Sequence, residues 1–392
     1  MDSKIKQLIA AVVLAVMVIL PLCFIPFAGS IGTNDRMIRV LVVKGAKHVP
    51  VSVQGSWTLL DESKGEILKE GSRTVFADVK AMGGGILFAG KIYPTKKIAL
   101  EPYRDASITV DKRKFRGHVT IMVGPDQTLN VINVVELDQY IKGVLYHEIS
   151  HKWPIEAIKA QAVAARSYAI YSMSQNKGRD YDVTNDIYSQ VYGGKNSERY
   201  RTGLAVDETS GIILAFNGKV LPAFFHATCG GVTESASEVW NLDLPPLRGE
   251  LCPYCKHSPH MRWKKNFRLR DIQTKLNDNG YSVGLIEKIE IAQRNASDRI
   301  RTLKITTREG KSMTISGKNF RNIVGPNVIR SNSYEIVMRG YYVDFYGRGW
   351  GHGVGFCQWG AFGMAQRHFD YKAILRHYYP GAQLIDLDSI NY

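Results

Sequence analysis

The stretch LDQYIKGVLYHEISHKWPIEAIKAQAVAARSYAIYS, Leu137 to Ser172, decides how this chain is read. Leu137, Tyr140, Ile141, Val144 and Leu145 follow the i, i+3, i+4 spacing of one helical face, and Glu148 continues the same stripe. A carboxyl in that slot faces a core or a cleft, where desolvation disfavours its charged form and raises its pKa. A carboxyl that stays protonated near neutral pH can act as a general acid; a buried Glu paired with an Arg is the structural alternative. Pro154 suits the first position of a second helix running to about Met173. That helix is apolar nearly all round and is expected to be buried. Arg166 within it needs an anionic partner or a polar cleft. The turn at Ser150–Pro154 offers a way to fold Arg166 back toward Glu148, a contact that sequence does not establish.

Before these helices, residues 35–133 are rich in short β-type runs, among them MIRVLVV, KIALEP, HVTIMV and LNVINVV, separated by Gly, Asp and Lys clusters. Strand-like runs return between Leu285 and Val343, and two further helices are expected near Gly360–Arg367 and Tyr371–Tyr378. The fold class is therefore α+β, a β-rich N-terminal region followed by a mixed helical and antiparallel-sheet region over 134–392. Glycines alternate at 347, 349, 351, 353 and 355 around His352. No Lys-Ser/Thr pair follows, so this is not a phosphate loop. Alternate glycines in a strand indicate close approach of a backbone or ligand, or a tight bend.

Cys252 and Cys255 form a C-x-x-C pair, and His226 and Cys229 an H-x-x-C pair. Such pairs have the ligand spacing of a structural zinc site. The expected ligands are Cys229, Cys252, Cys255 and His226, with His260 as the competing fourth. A disulfide, or a set of buried free thiols, is the alternative. A closed four-ligand site would staple a loop and would not activate water, so zinc hydrolysis is disfavoured.

The formal charge is +15, which favours anionic partners. No nucleic-acid fold signature accompanies it, so wall polymers or lipid head groups fit better than nucleic acid. Lys4 and Lys6 precede an uncharged apolar run from Leu8 to Ala28. That run is long enough to span a bilayer, and its positive flank keeps the N-terminus cytoplasmic. Residues 1–30 are therefore expected to be an uncleaved single-pass anchor with the remainder extracytoplasmic; a cleaved signal peptide is the rival.

The stretch from Tyr140 to Ser172, GRGWGHGVGFCQWGAFGMAQ at 347–366, VYGG at 191–194 and FFHATCGGVTESASEVW at 224–240 together resemble the stage II sporulation protein D and amidase-enhancer family. The resemblance runs from about Arg116 to the C-terminus. It implies a peptidoglycan lytic transglycosylase with Glu148 as the catalytic acid, Arg166 supporting the site, and His352 and Gln358 lining the cleft. Cys357 departs from the family pattern, where a small or polar residue is usual. The implied partners are glycan strands and, by analogy with some relatives, a cell-wall amidase. No cofactor is needed for the chemistry. Some relatives imply instead a non-catalytic wall-binding protein that stimulates an amidase.

Overall fold

Strands with one open face alternate, while the central strands of the first half are buried on both faces, as at Val40–Val42 and Ile98–Leu100. In His48–Val53 the side chains of Val49, Val51 and Val53 are buried while His48 and Pro50 face out, the period of a half-buried strand. The computed structural model describes residues 36–104, 106–186 and 189–390. The expected anchor over 1–30, with Cys23, lies outside the described residues. Among the described residues no helix is long and apolar enough to cross a membrane.

A seven-stranded sheet runs in the order Val183–Thr184, Met37–Ala46, Leu129–Glu136, His118–Val123, Lys97–Pro102, Trp57–Asp61, Glu66–Gly71. The pairs from His118–Val123 outward to Glu66–Gly71 are antiparallel, as is the pairing of His118–Val123 with Leu129–Glu136. A six-stranded sheet contributes Val49, Val51, Val79, Ile86 and Ile108 to the same core. Leu129–Glu136 feeds directly into helix α1 (Leu137–Glu148), capped by Glu136, whose carboxylate accepts from the Gln139 N–H at 2.9 Å. Helix α2 (Ile155–Gln175) follows, with Pro154 as its N-cap and not its first residue. The main core is continuous from the N-terminal sheets through both helices.

A second, separate core lies within residues 263–345, built by two three-stranded sheets and the helices Leu269–Asp278 and Gly317–Val324 around Ile272, Leu303, Phe320 and Phe345. Expected strands at 286–292, 300–307 and 333–347 appear as Ile286–Arg294, Ile300–Thr307, Tyr334–Arg339 and Tyr342–Gly347. The two late helices span Gln358–Ala365 and Tyr371–Tyr378. The architecture is α+β.

The Gly-rich stretch is not a regular strand. Gly349, Gly351, Gly353 and Gly355 all take positive φ, which favours glycine because no Cβ is present. The loop lies hard against residues 224–230: a Cβ on Gly351 would stand 2.7 Å from the His226 Cβ. Its end pairs in parallel with that segment, Phe225 with Phe356 and His226 with Cys357. The alternate glycines thus let two backbones press together.

Helix α2 is buried on nearly every side, as its composition demands. Ser167 Oγ donates to the Val163 carbonyl (2.7 Å) and accepts from the Leu214 N–H (2.8 Å), joining α2 to the strand Ile212–Phe216. Arg166 is fully buried. Its Nε donates to Asp138 Oδ1 at 2.6 Å, Nη1 to the Ile212 carbonyl at 3.0 Å and Nη2 to the Val206 carbonyl at 3.3 Å. The idea that α2 folds Arg166 back toward Glu148 is therefore corrected. Asp138 sits in the first turn of α1 and Glu148 at its end, about 15 Å away along the axis. The guanidinium prefers Asp138 because Ser210, whose hydroxyl donates to Asp138 Oδ2 at 2.6 Å, completes a fully paired ionic cluster there.

Removing one member of such a pair strands the other. Arg166→Ala is expected to lower unfolding stability by about 3–5 kcal/mol, measured by urea denaturation. An unchanged midpoint would show that the ion pair contributes nothing to the packing of α1 on α2.

Candidate active site

A cleft of about 1070 Å³ opens beside the C-terminal end of α1, with walls from the helix pair, the Phe224–Trp240 segment, the Gly-rich loop and the second core's lobe. Glu148, His226, His352 and Gln358 all line it. Arg166 does not border it; its guanidinium is spent at the far end of α1.

Glu148 is half-buried at the cleft wall. Burial pushes its pKa up to about 7, against the opposing pull of the Val191 N–H and the Gln358 amide, both of which favour the anion. Val191 donates to Oε1 at 3.4 Å. The position at a helix C-terminus works in the same direction as burial, because the negative end of the helix dipole disfavours a second negative charge. Gln358 is held in turn by Gln161 of α2, whose Oε1 accepts from its Nε2 at 3.3 Å. The carboxyl is thus poised near neutral pH, with two donors ready for its anionic form.

The two histidines are fixed as neutral rings. His352 Nε2 donates to the Phe225 carbonyl at 2.9 Å, and Nδ1 accepts the Val354 N–H at 3.0 Å. Burial pushes its pKa down to about 3. His226 Nδ1 donates to the Val354 carbonyl at 3.1 Å, and burial also holds its pKa well below the usual histidine range. Its Nε2 is buried with no hydrogen-bond partner among the described residues. That nitrogen is an unmet acceptor beneath the cleft surface.

Aromatic rings frame the cleft. Trp153 and Trp359 meet edge to face at 4.9 Å, and Trp240 stacks on Phe224 at 4.2 Å while still 39% exposed. Tyr146 and Trp350 extend this lining. Glu234 is a cleft residue that an isolated acid in a polar loop does not advertise. Its carboxylate accepts from the Ser235 N–H (2.8 Å), Asn295 Nδ2 (2.6 Å) and Ser297 Oγ (2.8 Å), so it acts as a strut between the two lobes.

The structure brings Cys229, Cys252 and Cys255 together, but their fourth neighbour is Cys357. His226 is turned to Val354 and the cleft. His260 packs on Trp350 at 4.6 Å, with Nδ1 3.4 Å from Arg330 Nη1. Neither histidine belongs to the thiol cluster, which corrects the expected fourth ligand.

A family model described as Stage II sporulation protein matches residues 125–216, the span of α1, α2 and the adjoining strands. Stage II sporulation protein D of Bacillus subtilis is 32% identical over 275 residues, 65% of this chain and 76% of that protein. The chain belongs to the stage II sporulation protein D family. An uncharacterized protein of Brachyspira hyodysenteriae is 38% identical over 269 residues, 68% of this chain and 71% of its own. The amidase enhancer of B. subtilis is 26% identical over 291 residues, 62% of this chain and 40% of its own. Within this family member, residues 254–355 also match a model described as Domain of unknown function (DUF8618), which coincides with the lobe built on the second core.

The elevated Glu148 pKa has a stability consequence with a definite sign. The folded state binds this proton more tightly than the unfolded state, so stability falls as pH rises from the unfolded value of about 4.3 through the folded value of about 7. Glu148→Gln removes that slope. The variant is expected to match wild type near pH 4 and exceed it by roughly 1–3 kcal/mol at pH 8, read from chemical denaturation at both pH values. A variant less stable than wild type at pH 8 would contradict the desolvated carboxyl.

Proposed function

We propose that the protein is a lytic transglycosylase that cleaves peptidoglycan glycan strands between N-acetylmuramic acid and N-acetylglucosamine, leaving a 1,6-anhydro end. The observation that carries this reading is Glu148, a carboxyl with its pKa pushed up to about 7 in an aromatic-lined cleft. Ordinary glycosidases use two carboxylates flanking the bond. Here the other buried cleft acid, Glu234, has its oxygens engaged by three donors. A transglycosylase needs one acid only, because the substrate supplies the nucleophile.

In this mechanism the protonated Glu148 gives its proton to the glycosidic oxygen. The bond from that oxygen to the muramic C1 breaks, and positive charge develops at C1. The Val191 N–H and the Gln358 amide favour the carboxylate just formed. The C6 hydroxyl oxygen then bonds to C1, and Glu148 takes the hydroxyl proton, which regenerates the acid. No water is consumed. Because the attack is intramolecular, correct positioning of the sugar removes several kcal/mol from the barrier. Trp153, Trp240 and Trp359 offer faces on which sugar rings stack. The relatives named stage II sporulation protein D support sporulation as the setting. The uncharged apolar run at 8–28 supports a membrane anchor, with the cleft outside the cell membrane.

The relative named amidase enhancer favours a second reading, in which the cleft binds glycan without cutting it and serves a wall amidase. Muropeptide analysis by mass spectrometry separates the two. Wild-type protein is expected to release 1,6-anhydro-muramic ends, and Glu148→Gln none, with its circular dichroism unchanged. Reducing ends would make the enzyme a hydrolase. Retained wall binding without cleavage by wild type would establish the enhancer reading.

A further inference from the structure

The four cysteines among the described residues converge on one point, although they come from three separate places in the chain. Cys229 follows the Phe225–His226 strand, Cys252 and Cys255 lie in the loop beyond, and Cys357 ends the Gly-rich stretch. All four are buried, and their Sγ atoms lie within 4.8 Å of one another. The Cys229 and Cys255 sulfurs are 3.5 Å apart. Four thiolates at the usual zinc–sulfur bond length form a tetrahedron with edges of about 3.8 Å.

We propose that Cys229, Cys252, Cys255 and Cys357 form a closed tetrathiolate site for one zinc ion, which ties the C-x-x-C loop to the paired strands under the cleft.

The surroundings fit thiolates better than thiols. The Cys229 N–H points at Cys357 Sγ (3.2 Å) and the Gly231 N–H at Cys229 Sγ (3.4 Å). The Tyr378 hydroxyl lies 3.1 Å from Cys252 Sγ. Donors aimed at coordinating sulfurs orient and tune a metal site. The charge also fits. Four thiolates around a divalent ion carry two net negative charges, and Arg299 supplies a buried cation at the same place. Only 3% of Arg299 is exposed; its Nη2 donates to the carbonyls of Cys229 (2.7 Å) and Val232 (3.0 Å). Its Nε and Nη1 have no hydrogen-bond partner among the described residues. The buried Glu234 carboxylate attracts this guanidinium, and a dianionic centre on the cysteine side adds to that compensation.

With four protein ligands the ion has no open position, so its role is structural. Its position gives that role a target. Cys357 pairs with His226 across the strands and directly precedes Gln358, the amide that faces Glu148. Loss of the ion releases the cleft floor, whatever reaction the cleft performs.

The test is elemental analysis of the purified full-length chain, prepared without chelator. One zinc per chain is expected, with all four thiols protected from a disulfide reagent until a strong chelator is added. Replacement by cobalt should give the intense thiolate-to-metal charge-transfer absorption of a four-sulfur site. Cys357→Ser is expected to lose the metal and His226→Ala to keep it. Should Cys357→Ser fail to fold, the wild-type cobalt spectrum still counts the sulfurs. Metal-free wild type with disulfides or with four freely reactive thiols would overturn the proposal, as would iron in place of zinc. Retention by Cys357→Ser with loss from His226→Ala would overturn the ligand set.

Discussion

A carboxyl group held away from bulk water at the end of an apolar helix is the constraint around which this molecule is arranged. Leu137, Tyr140, Ile141, Val144 and Leu145 bury one face of α1 in the main core. Glu148 continues the same face, so the packing that stabilises α1 also carries its last side chain into a partly desolvated wall. The ion pair at the opposite end fixes the helix in that register: Asp138 is gripped by Arg166, itself fully enclosed in α2. Position and protonation of Glu148 therefore follow from packing interactions made elsewhere in the helix pair.

The opposite wall obeys a different rule, the close approach of two backbones. Glycines at positive φ allow the 347–357 loop to lie on the 224–230 segment. That contact orients His352, His226 and Gln358 toward one cleft, and sets Cys357 beside the three other thiols. The lobe of residues 263–345 completes the enclosure with its own core and is tied in through Asn295 and Ser297, which hold Glu234.

Much of this is legible in the sequence because it is local. The stripe of α1, the all-round apolar α2, the alternating strands and the position of Glu148 depend on neighbours a few residues apart. The helix Leu269–Asp278 also carried a readable signal, Leu269, Ile272 and Leu276 on one face, though its charged remainder masks it. What is not legible is long-range pairing. The all-round apolar composition of α2 says that Arg166 is buried but not that Asp138, and not Glu148, is its partner. The C-x-x-C and H-x-x-C spacings gather three cysteines correctly, but the fourth lies about a hundred residues later. Its place is set by the parallel pairing of His226 with Cys357, which also turns the histidine away from the sulfurs.

Catalysis by Glu148 depends on a raised pKa that leaves a large fraction of its carboxyl protonated near neutral pH in this cleft. The direct measurement is a carboxyl titration by carbon-13 NMR on protein labelled at glutamate side chains, with Glu148→Gln used to assign the resonance. The account predicts one resonance with a midpoint near 7, well above the ordinary glutamate range, that is absent from the variant. A Glu148 resonance that titrates with the exposed glutamates, near 4.3, would contradict it.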